Sequence, residues 1–237
     1  MKKIYIVIIA IAVIGTGIGG YFMLPQLFGD ERDGKGSTDE SIKLPEPKYD
    51  SSVSLEQAML TRRSVRAYKD EPLTLTEVAQ LLWSAQGITN PKRGYRTTPS
   101  AGALFPLEAY VVIGNVEGIA EGVYKYKPSK HELVMVRNGD VRDKLAIAAL
   151  GQACVKNGAI AIVFSAVYER TTRKYSDRGV RYVHMEVGHA AQNVYLQAVS
   201  LNLGTVVVGA FKDNEVSKIL NLPDEERPLY ILPVGKR

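Results

Sequence analysis

The sequence predicts an α+β domain that follows a hydrophobic segment long enough to span a membrane. Two observations predict the domain: helical and strand-like periodicities alternate from about residue 50 onward, and two neighbouring alternating runs have the pattern of a hairpin. A third predicts the span, because no charged residue lies between Ile4 and Leu24. We therefore divide the chain into a membrane anchor (1–25), a linker (26–49) and a folded domain (50–237).

The N-terminal segment is long enough for a membrane helix, since a hydrocarbon core needs roughly 20 helical residues. Pro25 would end this helix. The alternative is a cleaved signal peptide, whose apolar region is usually about 7–15 residues long and ends at an A-x-A-like site. The segment shows no such site, which favours an uncleaved anchor. Lys2 and Lys3 precede it and charges of both signs follow it, which predicts a cytoplasmic N-terminus and a folded domain on the far side of the membrane.

The linker is predicted from glycine, proline and serine residues among charges of both signs. The first half of the domain then combines two capped helices with three strands. Ser54 can cap a short helix, and Thr74 with Glu77 has the spacing of a capping box, whose helix Gly87 would end. The apolar run 107–113 predicts a buried strand, and the alternating runs 122–127 and 132–136 predict a hairpin.

The second half of the domain is predicted to alternate helices and strands. Asp140 is placed to cap a helix that continues through Leu150. Apolar runs predict strands at 159–167, 205–210 and 229–234. Helical periodicity predicts a long helix from about Arg178 to Leu203, closed by Gly204, and a short helix over 214–220.

Composition limits the chemistry that the domain can carry. With 46% hydrophobic and 23% charged residues, the chain is neither disordered nor collagen-like. A single cysteine, Cys154, excludes an intramolecular disulfide and is expected to be a small buried side chain. His184 and His189 are five positions apart, not the four of a zinc-binding H-E-x-x-H helix, so we predict no metal site and expect Glu186 to pair locally with His189. No nucleic-acid-binding signature accompanies the net charge of +5, so we expect no nucleic acid partner.

Two basic groups stand near the ends of the domain. The first is Arg62-Arg63-Ser64-Val65-Arg66, and the second is the C-terminal pair Lys236-Arg237. Arginine presents a planar fork of donors that matches phosphate oxygens, so the first group is a candidate phosphate site. The alternative for either group is a basic surface in contact with solvent.

Two runs of small residues could hold a flat ligand against backbone groups. One precedes the first buried strand and contains Pro99, Ser100, Ala101 and Gly102. The other is the end of the run 205–210, at Gly209 and Ala210. Small side chains permit a close approach to backbone donors and acceptors. The alternative is ordinary turn chemistry.

Taken in order, these motifs resemble the FMN-dependent nitroreductase superfamily over Ser54 to Arg237, and most of all its SagB-type oxidoreductase branch. The motifs that carry the resemblance are R-R-S-x-R, E-V-A-Q-L-L-W-S-A-Q-G-I-T, P-S-A-G-A-L-F-P-L-E-A-Y-V-V, K-Y-S-D-R-G-V-R-Y, E-V-G-H-A-A-Q-N-V-Y-L-Q-A and L-P-V-G-K-R. The resemblance implies a nitroreductase-like mixed sheet flanked by helices, in an intertwined homodimer with one FMN at each of two interface sites.

The resemblance also implies roles for the motif residues. The FMN phosphate and ribityl chain would be held by Arg62, Arg63, Ser64, Lys236 and Arg237. Arg66 would approach the N1/O2 edge of the flavin, and Gly209 and Ala210 would offer backbone donors near N5. The loop that lies against the isoalloxazine, from the partner subunit, would be Pro99, Ser100, Ala101 and Gly102.

The chemistry implied is hydride transfer through flavin N5, from NADH, NADPH or an organic donor to a small organic acceptor. In relatives that oxidise azoline rings, a lysine and a tyrosine remove the substrate proton, and Lys174-Tyr175 matches that pair. Repulsion from nearby arginines would favour the neutral amine of Lys174. The alternatives are a solvated basic stretch at this position, an azoline (thiazoline/oxazoline) dehydrogenase, and a membrane-tethered flavin-binding or scaffold protein without turnover.

Overall fold

The computed structural model describes residues 41–237, which form one large β-sheet between two layers of helices. The predicted membrane anchor and the linker up to residue 40 lie outside the described residues. Within 41–237, no helix combines the length and the apolar character that crossing a bilayer requires.

The structure contains nine strands and seven α-helices within the described range. The strands are β1 (Ser41–Lys43), β2 (Ile88–Asn90), β3 (Tyr95–Arg96), β4 (Leu107–Ile113), β5 (Gly122–Lys127), β6 (Glu132–Asn138), β7 (Ile160–Val167), β8 (Leu203–Thr205) and β9 (Glu226–Lys236). The helices are α1 (Leu55–Thr61), α2 (Leu75–Gln86), α3 (Arg142–Ala148), α4 (Ala153–Asn157), α5 (Glu169–Tyr175), α6 (Arg178–Ser200) and α7 (Asp213–Leu220).

The large sheet has seven strands in the order β1-β6-β5-β4-β7-β9-β8, and β2 and β3 form a separate pair. Every pairing between these described strands is antiparallel, so the sheet that was expected to be mixed is antiparallel instead. The hairpin connection of β5 and β6 illustrates the reason, because strands joined by short turns must run in opposite directions. The fold is the α+β arrangement expected from the sequence.

The central strand β4 is buried on both faces, and its side chains alternate between two apolar cores. Val111 and Ile113 pack in the core that contains the buried faces of α2 and α6. Tyr110 and Val112 pack in the opposite core, with side chains from α3, α4 and α7. This period of two is the property of a strand whose two faces are both covered.

The predicted helix caps of the first half are confirmed. The Ser54 hydroxyl accepts a hydrogen bond from Gln57 N at 3.1 Å. In α2, Thr74 Oγ1 accepts from Glu77 N at 3.3 Å while Glu77 Oε2 accepts from Thr74 N at 2.8 Å, which completes the capping box. Gly87 ends α2, where a Cβ atom would lie 2.1 Å from the Trp83 ring and no side chain would fit.

Part of the predicted linker belongs to the sheet. Residues 41–43 pair with the edge strand β6 as β1, and Leu44 beyond them is only 2% exposed. A three-residue strand is too short to show a sequence period, and its pairing depends on the open edge of β6. Sequence periodicity therefore could not predict β1.

Several predicted boundaries in the second half were wrong. Helix α3 begins at Arg142, and the Asp140 carboxylate accepts from Arg142 N at 2.9 Å, which is the predicted kind of cap contact although Val141 lies between Asp140 and the helix. The helix ends at Ala148 and not at Leu150.

Two short helices, α4 and α5, were not predicted. The strand expected at 205–210 ends at Thr205, and beyond it only Val208 bridges to β9.

The long helix α6 also ends earlier than predicted. Its last residue is Ser200, and Asn202 adopts a positive φ of 56° directly after the cap. Asparagine tolerates this left-handed conformation better than most residues. Gly204, the expected terminator, lies instead inside β8, where a Cβ atom would meet Val65 at 2.7 Å.

Candidate functional site

The first basic group runs along the edge formed by β8 and β9. Val65 N donates to Thr205 O at 2.9 Å, and Lys69 N donates to Lys236 O at 3.0 Å. Gly204 has no room for a side chain because Val65 packs on it. These contacts hold the backbone of residues 62–69 against the sheet edge, while Arg63, Ser64 and Arg66 remain exposed. The exposed donors thus project from a fixed backbone.

Tyr195 of α6 ties this segment to the residues that follow β8. Its hydroxyl accepts from Val207 N at 2.8 Å and lies 3.1 Å from Ser64 Oγ. The Arg62 guanidinium stacks over the Tyr195 ring at 5.2 Å. One side chain therefore positions Arg62 and Ser64, two of the predicted phosphate ligands. Motif spacing did not single out Tyr195, although a tyrosine with an accessible tip on an otherwise apolar helix face is a usable signal.

The C-terminal basic pair divides between two environments. Lys236 Nζ forms an ion pair with Glu77 Oε1 at 2.6 Å, so its charge is already balanced by the capping-box carboxylate. Arg237 Nε is buried and has no hydrogen-bond partner among the described residues. An unpartnered buried guanidinium nitrogen is costly and suits an anionic ligand.

Arg63 Nη1 donates to Leu60 O at 3.1 Å and to Arg62 O at 2.8 Å, so only part of that guanidinium is available. The guanidinium and hydroxyl groups of Arg62, Ser64 and Arg237 are donors of the kind that a phosphate group accepts from.

Gly209 and Ala210 follow the short bridge of Val208 to β9, and both are exposed. Gln152 Nε2 donates to Ala210 O at 3.1 Å, and this hydrogen bond fixes the backbone at Ala210. Within residues 41–237 neither the Gly209 nor the Ala210 amide N–H donates a hydrogen bond, so both donors are available to a ligand.

The small-residue loop before β4 is tightly turned. It contains a short 3₁₀ turn over Ala101–Ala103, and Gly102, Ala103 and Phe105 have positive φ angles of 63°, 54° and 46°. Ser100 Oγ accepts from Phe105 N at 2.9 Å and closes the loop. Directly before the loop, Thr98 Oγ1 accepts from Asn193 Nδ2 at 3.2 Å, and this bond fixes the start of the loop to α6. We refer to residues 99–105 as the turn loop.

The predicted catalytic pair lies against the turn loop. A Cβ atom on Gly102 would be 2.7 Å from Tyr175 Oη and 3.1 Å from Lys174 Nζ. Both residues belong to the last turn of α5, a helix that was not predicted. Ser176 ends this helix with a positive φ of 49°. The structure therefore brings Lys174 and Tyr175 together with Gly102, as a catalytic role beside the loop requires. Glycine at position 102 leaves the space for both side-chain tips.

A buried carboxyl lies on the other side of the turn loop. Glu186 of α6 is 3% exposed and neighbours the Ser100 side chain, and burial raises its pKa to about 7 against the smaller opposing effects of Ser100 and Arg96. The expected local pair with His189 was wrong: Glu186 is buried against the turn loop, whereas His189 is exposed and, within residues 41–237, forms no hydrogen bond or ion pair with Glu186. The burial of Glu186 depends on which face of α6 meets the loop, which spacing alone does not show.

The site residues thus fall into two clusters along α6. The basic cluster contains Arg62, Arg63, Ser64 and Tyr195, and the turn-loop cluster contains the turn loop with Lys174, Tyr175 and Glu186. Tyr195 belongs to the basic cluster and Glu186 to the turn-loop cluster, and about 13 Å of helix separates them at about 1.5 Å per residue. Among the described residues, no group of three or more His, Cys, Asp or Glu side chains is arranged to hold a metal ion.

Comparison with protein families identifies the chain. A family model described as the nitroreductase family matches residues 59–236, which include both clusters. The chain belongs to the nitroreductase family. Its oxidoreductase character follows from that membership, whereas the SagB-type branch is not distinguished by the match.

Individual nitroreductase-family relatives differ in how much of their length the chain matches. It is 51% identical over 196 residues to a nitroreductase-family protein of Methanocaldococcus jannaschii, covering 83% of this chain and 96% of that one. It is 29% identical to the Escherichia coli microcin B17-processing protein McbC, covering 63% of this chain but only 57% of that one. It is 23% identical to the FMN reductase (NADPH) of Bacillus subtilis, covering 76% and 64%.

A solved structure agrees with this membership. A nitroreductase-family structure from Ralstonia eutropha superimposes with a TM-score of 0.74 at 29% sequence identity, covering 85% of this chain and 91% of that one. The similarity extends over nearly all the described residues and supports the sheet and helix arrangement given above.

Proposed function

We propose that this nitroreductase-family chain is an FMN-dependent oxidoreductase that passes a hydride from NADH, NADPH or an organic donor to a small organic acceptor. The observation that carries the proposal is the fixed basic cluster, in which Arg62 and Ser64 converge on Tyr195. The unpartnered Nε of Arg237 supports it. The relative described as an NADPH-dependent FMN reductase supports the choice of cofactor and donor. When bound, FMN supplies the two-electron redox chemistry.

The residues of the chain bind and orient the cofactor in this proposal. The phosphate is held by Arg62, Arg63 and Ser64, with Arg237 completing the donor set, and Lys236 balances Glu77. Arg66 supplies positive charge to the ring edge. Gly209 and Ala210 offer their amide N–H groups on the exposed side of the sheet edge. The turn loop, with Pro99 to Gly102, covers the cofactor bound to the partner subunit of a homodimer.

The cofactor assignment is tested on the purified chain in detergent. We expect a yellow preparation with flavin absorbance that bleaches when NADH or NADPH is added without oxygen. A preparation that stays yellow with every donor favours a flavin-binding scaffold without turnover. A colourless protein that cannot be loaded with FMN would show that the cofactor assignment is wrong.

The phosphate ligands are tested by Arg62→Ala combined with Arg63→Ala. Loss of two guanidiniums removes charge-assisted hydrogen bonds worth about 1.5–3 kcal/mol each, so FMN affinity should fall at least about a hundredfold. The matched control is Lys92→Ala with Arg93→Ala, which removes two adjacent exposed positive charges at the turn between β2 and β3. Equal FMN retention, measured by equilibrium dialysis, in the two double variants would contradict the phosphate assignment.

A second candidate function is azoline dehydrogenation. The contact of Lys174 and Tyr175 with Gly102 favours it, as does the similarity to a microcin-processing protein. In that reaction a thiazoline or oxazoline ring loses a proton and a hydride. Lys174 and Tyr175 would take the proton, and FMN, when bound, would supply the hydride acceptor. If this holds, Lys174→Ala abolishes aromatisation of a peptide thiazoline but leaves flavin reduction by NADPH intact. If the wild-type chain does not aromatise any azoline peptide, the first candidate stands alone.

A further inference from the structure

Glu186 is a buried carboxyl group with incomplete hydrogen bonding. It lies on the face of α6 that meets the turn loop, is 3% exposed, and neighbours the Ser100 side chain. Its Oε1 atom is buried and has no hydrogen-bond partner within residues 41–237. A carboxylate in this position would leave a charged oxygen unsatisfied, whereas a neutral carboxylic acid avoids most of that cost.

The charged surroundings of Glu186 are sparse. Arg96 of β3 is the one charged group in the described range whose field acts on it. Arg96 is only partly occupied: Nη1 donates to Gln86 Oε1 of α2 at 2.9 Å and the guanidinium stacks on the Phe105 ring at 4.5 Å. Its Nε is buried and has no hydrogen-bond partner within residues 41–237, so neither this nitrogen nor Glu186 Oε1 satisfies the other in the structure. Glu108 of β4 and Arg170 of α5 act on Arg96 and not on Glu186. Arg96 therefore offsets only part of a negative charge on Glu186.

The loop above Glu186 is strained. Ala103 and Phe105 hold positive φ angles that residues other than glycine rarely adopt. Such backbone persists only where the surrounding contacts determine it. The contacts at hand are the Ser100 Oγ bond to Phe105 N at 2.9 Å and the stacking of Arg96 on Phe105. Both Ser100 and Arg96 border Glu186, so this carboxyl supports the turn loop from below.

We propose that Glu186 is a positioning residue that holds the turn loop in place when it is neutral and releases the loop when it ionises. A buried carboxylate with an unsatisfied oxygen attracts water, and hydration requires Ser100 and the loop to move away. Movement of Gly102 also changes its contact with Tyr175 and Lys174. The proposal rests on the proposed function only in that the loop covers bound FMN. Ionisation of Glu186 makes the order of the turn loop, and with it the retention of the cofactor, depend on pH in the neutral range.

The ionisation is placed in that range by burial, which raises the pKa of Glu186 to about 7, while the Ser100 hydroxyl and Arg96 lower it by less. Below this pH the folded chain carries the neutral acid and the loop is held. Above it the carboxylate forms and the loop is released.

The first experiment measures hydrogen–deuterium exchange of the turn-loop amides in the full chain without FMN, at about pH 6 and about pH 8. The comparison is made between variants at one pH, so the intrinsic pH dependence of exchange cancels. At pH 8 the wild-type loop should exchange roughly fivefold faster than that of Glu186→Gln, which cannot ionise. At pH 6, where most of the buried carboxyl is neutral, the difference between the two should be clearly smaller than at pH 8. Glu117→Gln, an exposed control, should behave as wild type at both.

Equal exchange of wild type and Glu186→Gln at pH 8 would overturn the proposal. If Glu186→Gln does not fold, Ser100→Ala decides the point, because it removes the hydroxyl through which Glu186 acts. Its loop should exchange rapidly at both pH values, and retention of the wild-type pH dependence would also overturn the proposal.

The second experiment measures FMN affinity for the same variants. The FMN phosphate also titrates, at about pH 6, but it does so equally for every variant. Between pH 6 and pH 8 the wild type should lose roughly fivefold more affinity than Glu186→Gln. An identical loss in both variants would overturn the proposal. A failure of every variant to bind FMN would refute the proposed function instead, while the exchange comparison would still decide the role of Glu186.

Discussion

Tyr195 illustrates how one side chain can join three separate parts of the chain around a proposed phosphate site. Its phenol has a single proton, and because the oxygen accepts from Val207 N, that proton is free to be donated to Ser64 Oγ. The ring beneath Arg62 adds a cation–π contact. The basic segment, the backbone after β8 and the long helix α6 are therefore joined at one hydroxyl group.

Tyr195→Phe tests this arrangement, because it keeps the ring and removes only the hydroxyl. The Val207 amide loses its acceptor, so we expect the free energy of unfolding to fall by about 1–2 kcal/mol. FMN affinity should fall with it, since Ser64 is no longer held. Urea denaturation and equilibrium dialysis provide the two measurements. Tyr95→Phe, which removes an exposed hydroxyl 3.4 Å from Arg93, is the control and should change neither quantity.

At the residue level, the chemical identity of side chains predicted candidate site residues that sequence spacing along the helices did not. The guanidinium and hydroxyl groups of Arg62 and Ser64 indicate a phosphate site from their identity alone. Tyr195 and Glu186 belong to the two site clusters along α6, but neither was predicted as a site residue, because a helix buries or exposes a side chain according to the face that it presents to its neighbours. That face is decided by the packing of α6 on α2 and on the turn loop.

At the level of elements, the contact between α5 and the turn loop is the junction on which the proposed role of Lys174 and Tyr175 depends. Glycine at 102 meets two requirements at once, a positive φ of 63° and clearance from Tyr175 Oη and Lys174 Nζ. The sequence run contains the glycine, but the clearance exists only because α5 ends directly against it.

Gly102→Ala separates these requirements when it is compared with Gly94→Ala. Gly94 has a nearly equal φ of 66° but no atom within 4 Å of the added Cβ. The Gly94 variant should lose only the cost of a non-glycine residue in left-handed backbone, about 1–2 kcal/mol of stability. The Gly102 variant should lose the same amount of stability. Because Tyr175 is displaced, its turnover of an azoline substrate should also fall at least about tenfold. Steady-state kinetics that showed equal turnover for the two variants would refute the contact.

On the scale of the whole molecule, we propose a homodimer, as the family resemblance implies. Large apolar side chains are exposed on α1, at Met59 and Leu60, and on α6, at Met185. Large apolar side chains that are exposed in the single chain are candidates for an interface, so we take these two helices as the proposed dimer surface.

Met185→Asp tests this interface, and Ile147→Asp, at another exposed apolar residue, is its control. A carboxylate buried between subunits is strongly unfavourable, so the variant should sediment as a monomer and should lose FMN. Ile147→Asp on α3 introduces the same charge at a residue that is 68% exposed and should remain dimeric. If Ile147→Asp alone dissociates the dimer in analytical ultracentrifugation, the interface lies on the opposite layer of helices.

We also propose that the folded domain is tethered to a membrane by residues 1–25, with the domain on the extracytoplasmic side. The proposal rests on the uncharged run from Ile4 to Leu24 and on the two lysines before it. Protease added to intact cells should then digest the domain, and alkaline extraction should leave the full chain with the membranes. A domain that is protected until the cells are opened would reverse the orientation, and release by alkali would contradict the anchor.

The sequence alone determined the class of fold, the helix caps at Ser54 and Thr74 and most of the buried strands, and it supplied the chemical identity of the proposed phosphate ligands. These follow from local periodicity and from side-chain chemistry, which do not depend on distant residues. The tertiary structure decided the all-antiparallel order of the sheet, the docking of β1 on β6, the end of α5 against Gly102 and the burial of Glu186. Each of these depends on which surfaces meet across long stretches of chain, and no local pattern contains that information.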